Sequence, residues 1–419
     1  MRVAPLLLCI CLAGACKSET ATGQATSKPS SEEPSLAPSP SPLTEAPTPM
    51  QKKPANTDPK AMATTAKGLN AFTLALYQAV DKAGNTMLSP FSVASALSLV
   101  ELGAKGKTAA ELHKVLGAES AEQHRRGLQD LIATISGDGA PVDNYGTMIH
   151  PHQLRIANSI WPAKDYKIDD KFITDVASMY GAGAKPIDIS DPDGSAKMIN
   201  DWVLQATADK IKDLITPSAI NPLTRMILVN AVHFLGRWRE PFRKERTSDK
   251  PFYVDGKNAG IAVPTMVHSY YFKSLDNEEL TIAEMPYWTT SDASEMVMTI
   301  LLPKKRDGLA ALEAKLSAEQ VDSWMRQLST DVRVAIHLPK WKTETSARLE
   351  ETLPAVGLPL LFSADADLSG ISPEEGLQLS AVMHKTYIHV DENGTEAAAA
   401  TAMMVAGSAP QQPIDMRVD

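Results

Sequence analysis

Helical periodicity sets in near Met62. Four apolar residues recur at helical spacing and predict a first helix: Leu69, Phe72, Leu76 and Val80. Serine favours the N-cap of a helix and proline its first turn, so Ser89 and Pro90 predict a second helix that runs to about Gly103.

Further helices and then strands follow. Thr108 and Glu111 form a capping-box pattern, which predicts a short third helix that ends near Gly117. Longer helices are predicted over about 195–215 and 308–328. The β-rich runs are 225–238, 295–303, 332–341 and 385–390. Because helices come first and strands dominate later without regular alternation, the sequence indicates an α+β fold.

The amino terminus has the pattern of an export signal. Residues 1–15 contain one basic residue, a short apolar run and small residues at their end, which is typical of a signal peptide. Cys16 follows, as in the lipobox of bacterial lipoproteins, although Ala13 stands where that motif usually has leucine. Lipidation at Cys16 is predicted, and ordinary secretion with an incidental Cys16 is the alternative. The protein is expected in the cell envelope or outside the cell.

Residues 16–62 are rich in Ser, Thr, Pro and Ala and contain no aromatic residue. They cannot bury enough surface to offset the entropy lost on folding, so they predict a flexible stalk before a folded domain at 63–419. Cys9, Cys11 and Cys16 are the only cysteines and all precede that domain. The domain therefore has no disulfide and no thiol nucleophile.

Composition and motifs exclude several functions. The formal net charge is −9 and the basic residues are scattered, which argues against binding to nucleic acid. The nine histidines form no metal-ligand set, since His150 and His152 flank a proline without a nearby carboxylate. HExxH and GxSxG are absent, and residues 106–108 lack the earlier glycine of a phosphate loop. We therefore expect no metal, no cofactor and no enzymatic activity.

A segment near the carboxyl terminus has the composition that strand insertion requires. Its alternate positions are uncharged and small or apolar: Thr395, Ala397, Ala399, Thr401, Met403, Val405 and Gly407. Gly394 provides a flexible base, and Pro410 and Pro413 come only after this set. An alanine-rich helix or a low-complexity tail are the alternatives that the local pattern leaves open.

The chain over 68–419 resembles the serpin family. The motifs are Asn70-Ala71-Phe72, Ser89-Pro90-Phe91-Ser92, 103–108, Asn200-Asp201-Trp202-Val203, 229–234 with Gly236, Trp238, Pro241 and Phe242, 338–341, His384-Lys385 and 392–397. The resemblance implies a metastable fold with a large central β-sheet, further sheets and an exposed reactive-centre loop. It also implies that a protease cleaves this loop and is trapped as an acyl-enzyme when the loop inserts into the sheet.

The resemblance also assigns roles to residues. The hinge, which inserts first, would consist of Glu392, Gly394, Thr395, Glu396, Ala397, Ala398, Ala399, Ala400, Thr401 and Ala402. A polar group beneath the opening sheet, the shutter cluster, would consist of Ser89, Ser92, Asn230 and His384. The place where the loop first enters, the breach cluster, would consist of Trp238, Lys340 and Glu392.

Counting from Glu392 as in typical family members places the scissile bond between Ser408 and Ala409, with a shift towards 404–405 left open. Residues 394–415 contain no Lys or Arg. The expected partners are therefore elastase-like, subtilisin-like or chymotrypsin-like serine proteases, with cysteine proteases as a further class. The protein is expected to be a monomer whose only link to a membrane is the lipid at its amino terminus.

Serpins continue past the position of Asp419 with a His-Pro-Phe-like motif and two core strands, so the domain at 63–419 is expected to lack these strands. The alternative function is a non-inhibitory serpin that serves as a binding or chaperone module. Such members usually have charged, bulky or proline residues in the hinge, and the alternating set here has none. Inhibition is therefore the preferred interpretation.

Overall fold

The computed structural model describes residues 57–80, 85–136, 140–144, 147–149, 151–180, 183–254, 260–289, 295–395 and 412–419. Its helices are α1 (Pro59–Ala79), α2 (Pro90–Gly103), α3 (Gly106–Leu116), α4 (Ala121–Ile135), α5 (Asp170–Tyr180), α6 (Pro192–Ala206), α7 (Leu309–Glu313), α8 (Ala318–Gln327) and α9 (Leu353–Val356). Short 3₁₀ turns lie at Pro217–Ala219, Lys244–Arg246 and Leu360–Phe362.

The strands are β1 (Val142–Asn144), β2 (Thr147–Ile149), β3 (Gln153–Pro162), β4 (Gly183–Ala184), β5 (Met226–Arg237), β6 (Ser248–Phe252), β7 (Ile261–Tyr270), β8 (Lys273–Asp276), β9 (Leu280–Pro286), β10 (Val297–Pro303), β11 (Val334–Pro339), β12 (Trp341–Arg348), β13 (Ala381–Asp391), β14 (Gly394–Thr395) and β15 (Ile414–Arg417). The β-rich runs of the sequence correspond to β5, β10, β11 and β13, as predicted.

Six strands form a central sheet in the order β12, β13, β14, β5, β3, β4. β13 is antiparallel to β12, and β5 is antiparallel to β3. β13 also pairs directly and in parallel with β5, from Ala381 opposite Ile227 to Thr386 opposite Val232. Helices alongside this mixed sheet confirm the α+β prediction.

Both faces of the central sheet are covered. α2 lies against one face, and its residues 90–101 are all buried because small and apolar side chains surround the helix on every side. α6 packs on the other face, where Trp202 meets Trp161 of β3 edge-on with ring centroids 6.1 Å apart. β5 is consequently almost continuously buried, as expected for a strand in the middle of a covered sheet.

Smaller sheets lie beside the central one. β15, β11, β7 and β6 form a four-stranded sheet in which β15 runs parallel to β11. β10, β9 and β8 form an antiparallel sheet, and a bridge between Trp238 and Tyr287 connects it to the end of β5. Within the described ranges, no helix has the length and apolar character needed to cross a membrane.

Two predicted helix starts are corrected. α1 begins at Pro59, because Asp58 accepts hydrogen bonds from two backbone N–H groups of the first turn. The last residues of the predicted stalk therefore belong to the folded domain. α3 begins at Gly106, which places Thr108 inside the helix and not at its cap. α2 spans the predicted residues.

The capping box predicted for α3 is therefore wrong. Thr108 Oγ1 accepts a hydrogen bond from Asp367 N over 2.9 Å, and Glu111 Oε2 accepts one from Leu360 N over 3.0 Å. Each side chain therefore binds the backbone of a loop that is far away in the sequence. The predicted end at Gly117 is confirmed, where a φ of 66° favours glycine.

The two predicted long helices are shorter than expected. α6 ends at Ala206, and the chain then turns through Ala208 and Asp209, whose φ values of 52° and 62° cannot continue a right-handed helix. The stretch 308–328 divides into α7 and α8, because Ser317 caps a new helix by accepting a hydrogen bond from the backbone.

Candidate functional site

β14 lies between β13 and β5 at one end of the central sheet. Gly394 and Thr395 are opposite Arg237 and Gly236 of β5 on one side and pair with β13 on the other. Further along the sheet, β13 and β5 pair directly with each other. A strand position thus begins between β13 and β5, and of the described residues only these two occupy it.

Gly394 fits this position for steric reasons. Its φ is 154°, a conformation that residues with a side chain rarely adopt, and a Cβ atom here would lie 2.0 Å from Gly236 O. β14 can therefore approach β5 this closely only because its first residue is glycine.

Glu392 precedes β14 and is buried with two side-chain partners. Lys340 Nζ lies 2.9 Å from Glu392 Oε2, and Thr247 Oγ1 donates to Glu392 Oε1 over 2.8 Å. Burial opposes ionisation, but these hydrogen bonds and the charge of Lys340 outweigh it and hold the pKa of Glu392 below its ordinary 4.5. Glu392 O also accepts a hydrogen bond from Phe242 N over 2.9 Å, so the approach to β14 is fixed through side chain and backbone.

Trp238 provides the aromatic side of the breach cluster. Its Nε1 donates to Asp391 O over 3.0 Å, and its ring stacks on Tyr287 with centroids 4.4 Å apart. The hydroxyl groups of Tyr287 and Thr395 are hydrogen-bonded over 2.8 Å. The side chain of Thr395 therefore points into the interior, on the face that its alternation predicts.

Asn230 is the centre of the shutter cluster and is fully buried. Its Oδ1 accepts hydrogen bonds from Ser92 Oγ (2.8 Å) and His384 Nδ1 (2.7 Å). Its Nδ2 donates to Ser92 O (2.9 Å) and Asn158 Oδ1 (2.6 Å). Every hydrogen-bonding function of this amide is used, and the bond to His384 exists only while β13 and β5 lie side by side.

His384 is held as a neutral imidazole. Ser89 N donates to His384 Nε2 over 3.1 Å, which leaves Nδ1 as the donor to Asn230. Burial lowers the pKa of His384 to about 4. Ser89 occupies the N-cap position of α2 but makes no side-chain capping bond, so its contact with His384 is through the backbone.

Three residues that complete the two clusters were not identified from the sequence: Asn158, Thr247 and Tyr287. Asn158 also donates to Ser95 Oγ over 2.9 Å. Asn158 and Ser159 are polar residues between apolar residues of β3, which is a usable signal for a buried hydrogen bond. Thr247 and Tyr287 lie in stretches without such a signal.

The other predicted site residues lie outside the described residues: Glu396, Ala397, Ala398, Ala399, Ala400, Thr401, Ala402, Ser408, Ala409 and Cys16. In the part of the chain that the structure describes, no three or more His, Cys, Asp or Glu side chains are grouped so that they could hold a metal ion.

The chain matches one protein family along most of its length. The sequence model of the family described as "Serpin (serine protease inhibitor)" matches residues 67–419. The chain belongs to the serpin family. Serpin B3 of Homo sapiens is 36% identical over 347 residues, which are 78% of this chain and 86% of that serpin. Leukocyte elastase inhibitor of Bos taurus is 37% identical over 326 residues, which are 76% of this chain and 82% of the relative.

Solved serpin structures have the same fold. Serpin48 of the insect Tenebrio molitor matches with a TM-score of 0.74 at 28% identity, over 87% of this chain and 94% of that one. Human thyroxine-binding globulin matches with a TM-score of 0.74 at 27% identity, over 86% of this chain and 93% of that one. The predicted serpin fold, with its large central sheet, is confirmed.

Proposed function

We propose that this serpin inhibits serine endopeptidases as a suicide substrate, through cleavage of the segment that follows β14 and its insertion into the central sheet. The observation that carries the proposal is the strand position between β13 and β5, which Gly394 and Thr395 begin and the direct β13–β5 pairing closes. The name of a relative, leukocyte elastase inhibitor, supports a serine protease as the partner.

The registers of the two flanking strands define how far insertion runs. Extending β14 antiparallel to β5 brings Met404 opposite Ile227, and extending it along β13 brings Met404 opposite Ala381. Ile227 and Ala381 are themselves opposite each other at the far end of the β13–β5 pairing. The two registers agree, so complete insertion takes 396–404 into the sheet.

Insertion exchanges one set of shutter hydrogen bonds for another. The same registers bring Thr401 between Asn230 and His384, on the interior face that Thr395 shares. The new strand breaks the 2.7 Å bond between Asn230 and His384, and the Thr401 hydroxyl offers each of them a replacement partner. The polar Thr401 is therefore compatible with burial at this depth, as Thr395 is beside Tyr287.

Trapping then follows from serine protease chemistry. The protease serine attacks the carbonyl carbon of Ser408 and forms an ester, while Ala409 leaves as a new amino terminus with the proton that the protease base supplies. Insertion of 396–404 carries the ester-linked protease roughly 30 Å along the sheet at about 3.3 Å per residue. Inhibition results when insertion is faster than hydrolysis of the ester.

The partner is proposed to be an elastase-like, subtilisin-like or chymotrypsin-like protease, because residues 394–415 offer no Lys or Arg to a trypsin-like enzyme. The protein is not an enzyme in this proposal, since each molecule is consumed by one cleavage. We set aside a non-inhibitory binding or chaperone role, because the alternating set has the composition that insertion needs.

We also propose that residues 1–15 direct export, that Cys16 is lipidated and that residues 17–58 hold a monomeric domain away from the membrane. The apolar run followed by small residues and Cys16 supports this arrangement. Loss of membrane association in Cys16→Ser, with unchanged export, is the expected result of cell fractionation.

Incubation with elastase, subtilisin and chymotrypsin, followed by denaturing gels and mass spectrometry, tests the inhibitory function. A covalent complex that resists denaturant and a released peptide beginning at Ala409 are expected. Thr395→Arg puts a charge on the buried face and should turn the inhibitor into a substrate, whereas Glu396→Arg, on the opposite face, should still form the complex. Cleavage by every protease without any complex would contradict the proposal.

A further inference from the structure

A basic surface lies beside the base of β14. Arg243, Lys244 and Arg246 are exposed, in and next to the 3₁₀ turn Lys244–Arg246, which packs on β7. Arg333 immediately precedes β11, the neighbour of β7. We call these four residues, with Tyr270 and Tyr271 at the end of β7, the loop-side basic surface.

This surface lies between the two attachment points of the reactive-centre loop. The residues that flank the turn, Phe242 and Thr247, both donate hydrogen bonds to Glu392 immediately before β14. Arg333 O accepts a hydrogen bond from Ile414 N over 2.8 Å, where the chain enters β15. The described residues on either side of 396–411 therefore both border this surface.

The cations of this surface have no acidic partner among the residues that the structure describes. Among the described residues, the structure records no ion pair for Arg243, Lys244, Arg246 or Arg333. Arg333 donates to Ser269 O over 3.4 Å and lies 5.9 Å from the centre of the Tyr271 ring. The acidic groups nearby are Glu245 in the turn, Glu240, which is hydrogen-bonded to Tyr270, and Glu392, which is paired with Lys340.

His268 of β7 lies close to these cations. Its ring stacks on Tyr270 with centroids 6.1 Å apart, behind the surface. Burial, and then the charges of Arg246, Arg243 and Arg333, lower the pKa of His268 to about 4. Three guanidinium groups from two separate segments therefore lie near one imidazole.

The segment 396–413, which joins the two borders, contains one acidic residue, Glu396. Residues 397–414 contain no Asp or Glu. The whole chain carries a net charge of −9, so this positive region is a local exception. Tyr270 and Tyr271 are 41% and 52% exposed, and exposed tyrosine beside arginine is the composition that protein interfaces favour.

We infer that the loop-side basic surface is a second docking site for the target protease and takes acidic side chains on the rim of its substrate cleft. This inference rests on the proposed function, because a protease that cleaves the loop must approach between the loop's two ends. Opposite charges at that place steer the encounter and raise the association rate without changing the chemistry of cleavage.

The double variant Arg243→Ala/Arg246→Ala tests this, with Lys107→Ala/Lys114→Ala on α3 as a control of equal charge change. The association rate constant is measured with each protease that the wild-type protein traps, at ionic strengths from about 50 mM to about 1 M. We expect the rate for at least one of them to fall about tenfold at the lowest ionic strength and to converge with wild type at the highest. The control should follow wild type throughout, and complex formation on gels should be unchanged.

The two proposals fail in different ways. If no protease forms a covalent complex with wild type, the proposed inhibitory function is wrong. The docking site, which depends on that function, is then wrong as well. If complexes form and the double variant matches the control with every trapped protease at every ionic strength, only the docking site is wrong. Acceleration by added dextran sulfate that the double variant loses would assign the surface to a polyanion and would also overturn the inference.

Discussion

Glu101 is a carboxyl group buried among histidines where α2, α3 and α4 meet. Its Oε1 lies 3.1 Å from His113 Nε2, and its Oε2 lies 3.8 Å from His124 Nε2. Burial raises the pKa of Glu101 to about 8 and lowers the pKa of His124 to about 4. Both groups therefore stay uncharged at neutral pH, and three helices meet around them.

Replacing Glu101 with Gln should change how stability depends on pH. The carboxyl group titrates near 4.5 when unfolded and near 8 when folded, so between these values the folded protein holds the extra proton. Its contribution to the free energy of unfolding is therefore largest below pH 4.5 and falls as pH rises towards 8. In Glu101→Gln this fall, linked to as much as one proton, should disappear.

Denaturant unfolding at a series of pH values measures this effect. Glu119→Gln is the control, because Glu119 is exposed on the surface and its replacement should leave the pH dependence as it is. An identical slope in Glu101→Gln and in wild type would show that the buried carboxyl does not hold the proton.

At the scale of elements, substitutions in the strand that is proposed to insert test the inhibitory mechanism most directly. Thr401→Asp should place a carboxylate between Asn230 and His384, which are both buried and uncharged. Insertion should slow, so cleaved but untrapped inhibitor should increase and the stoichiometry of inhibition should rise several-fold. Thr401→Ser keeps the hydroxyl and should behave as wild type.

Titration of residual protease activity against inhibitor concentration gives this stoichiometry for each variant. A value for Thr401→Asp equal to that of Thr401→Ser would mean that position 401 does not reach the shutter cluster. The registers of β13 and β5 would then not predict the inserted state.

Elements with a local signal were predictable from the sequence. The Ser89-Pro90 pair correctly predicted the start of α2, and the apolar runs correctly predicted the positions of β5 and β10. The end of α6 was not predictable, because Ile211 and Ile215 continue the apolar period although the chain has left the helix. Their burial comes from contacts with the central sheet, which a periodic pattern cannot distinguish from a helix face.

Some residues of the candidate site were likewise predictable from the sequence, and others were not. Glu392, Asn230 and His384 were identified because serpin motifs contain them. Thr247 and Tyr287 were not, because each acquires its role from a partner more than a hundred residues away in the chain. Such pairings are set by how the sheets meet, and neither composition nor spacing encodes them locally.

At the scale of the whole molecule, cleavage of the loop should raise thermal stability. Insertion of 396–404 adds backbone hydrogen bonds to both β13 and β5 and buries small apolar side chains. We expect the midpoint of thermal unfolding to rise by more than about 10 °C. Calorimetry before and after limited proteolysis measures the shift.

Thr395→Arg is the matched control, because it can be cleaved at the same bond but should not insert. Its cleaved form should unfold at nearly the temperature of its intact form. A wild-type protein that gains no stability on cleavage would show that the strand position between β13 and β5 stays closed.

The closed pairing of β13 with β5 also has a consequence for how the protein is made. β13 precedes 396–404 along the chain, so we expect it to pair with β5 during synthesis before the segment that competes for that place has been made. On this expectation the order of synthesis, and not the lowest free energy, selects the closed sheet. Each newly made molecule would then keep the free energy that insertion later releases against a single protease.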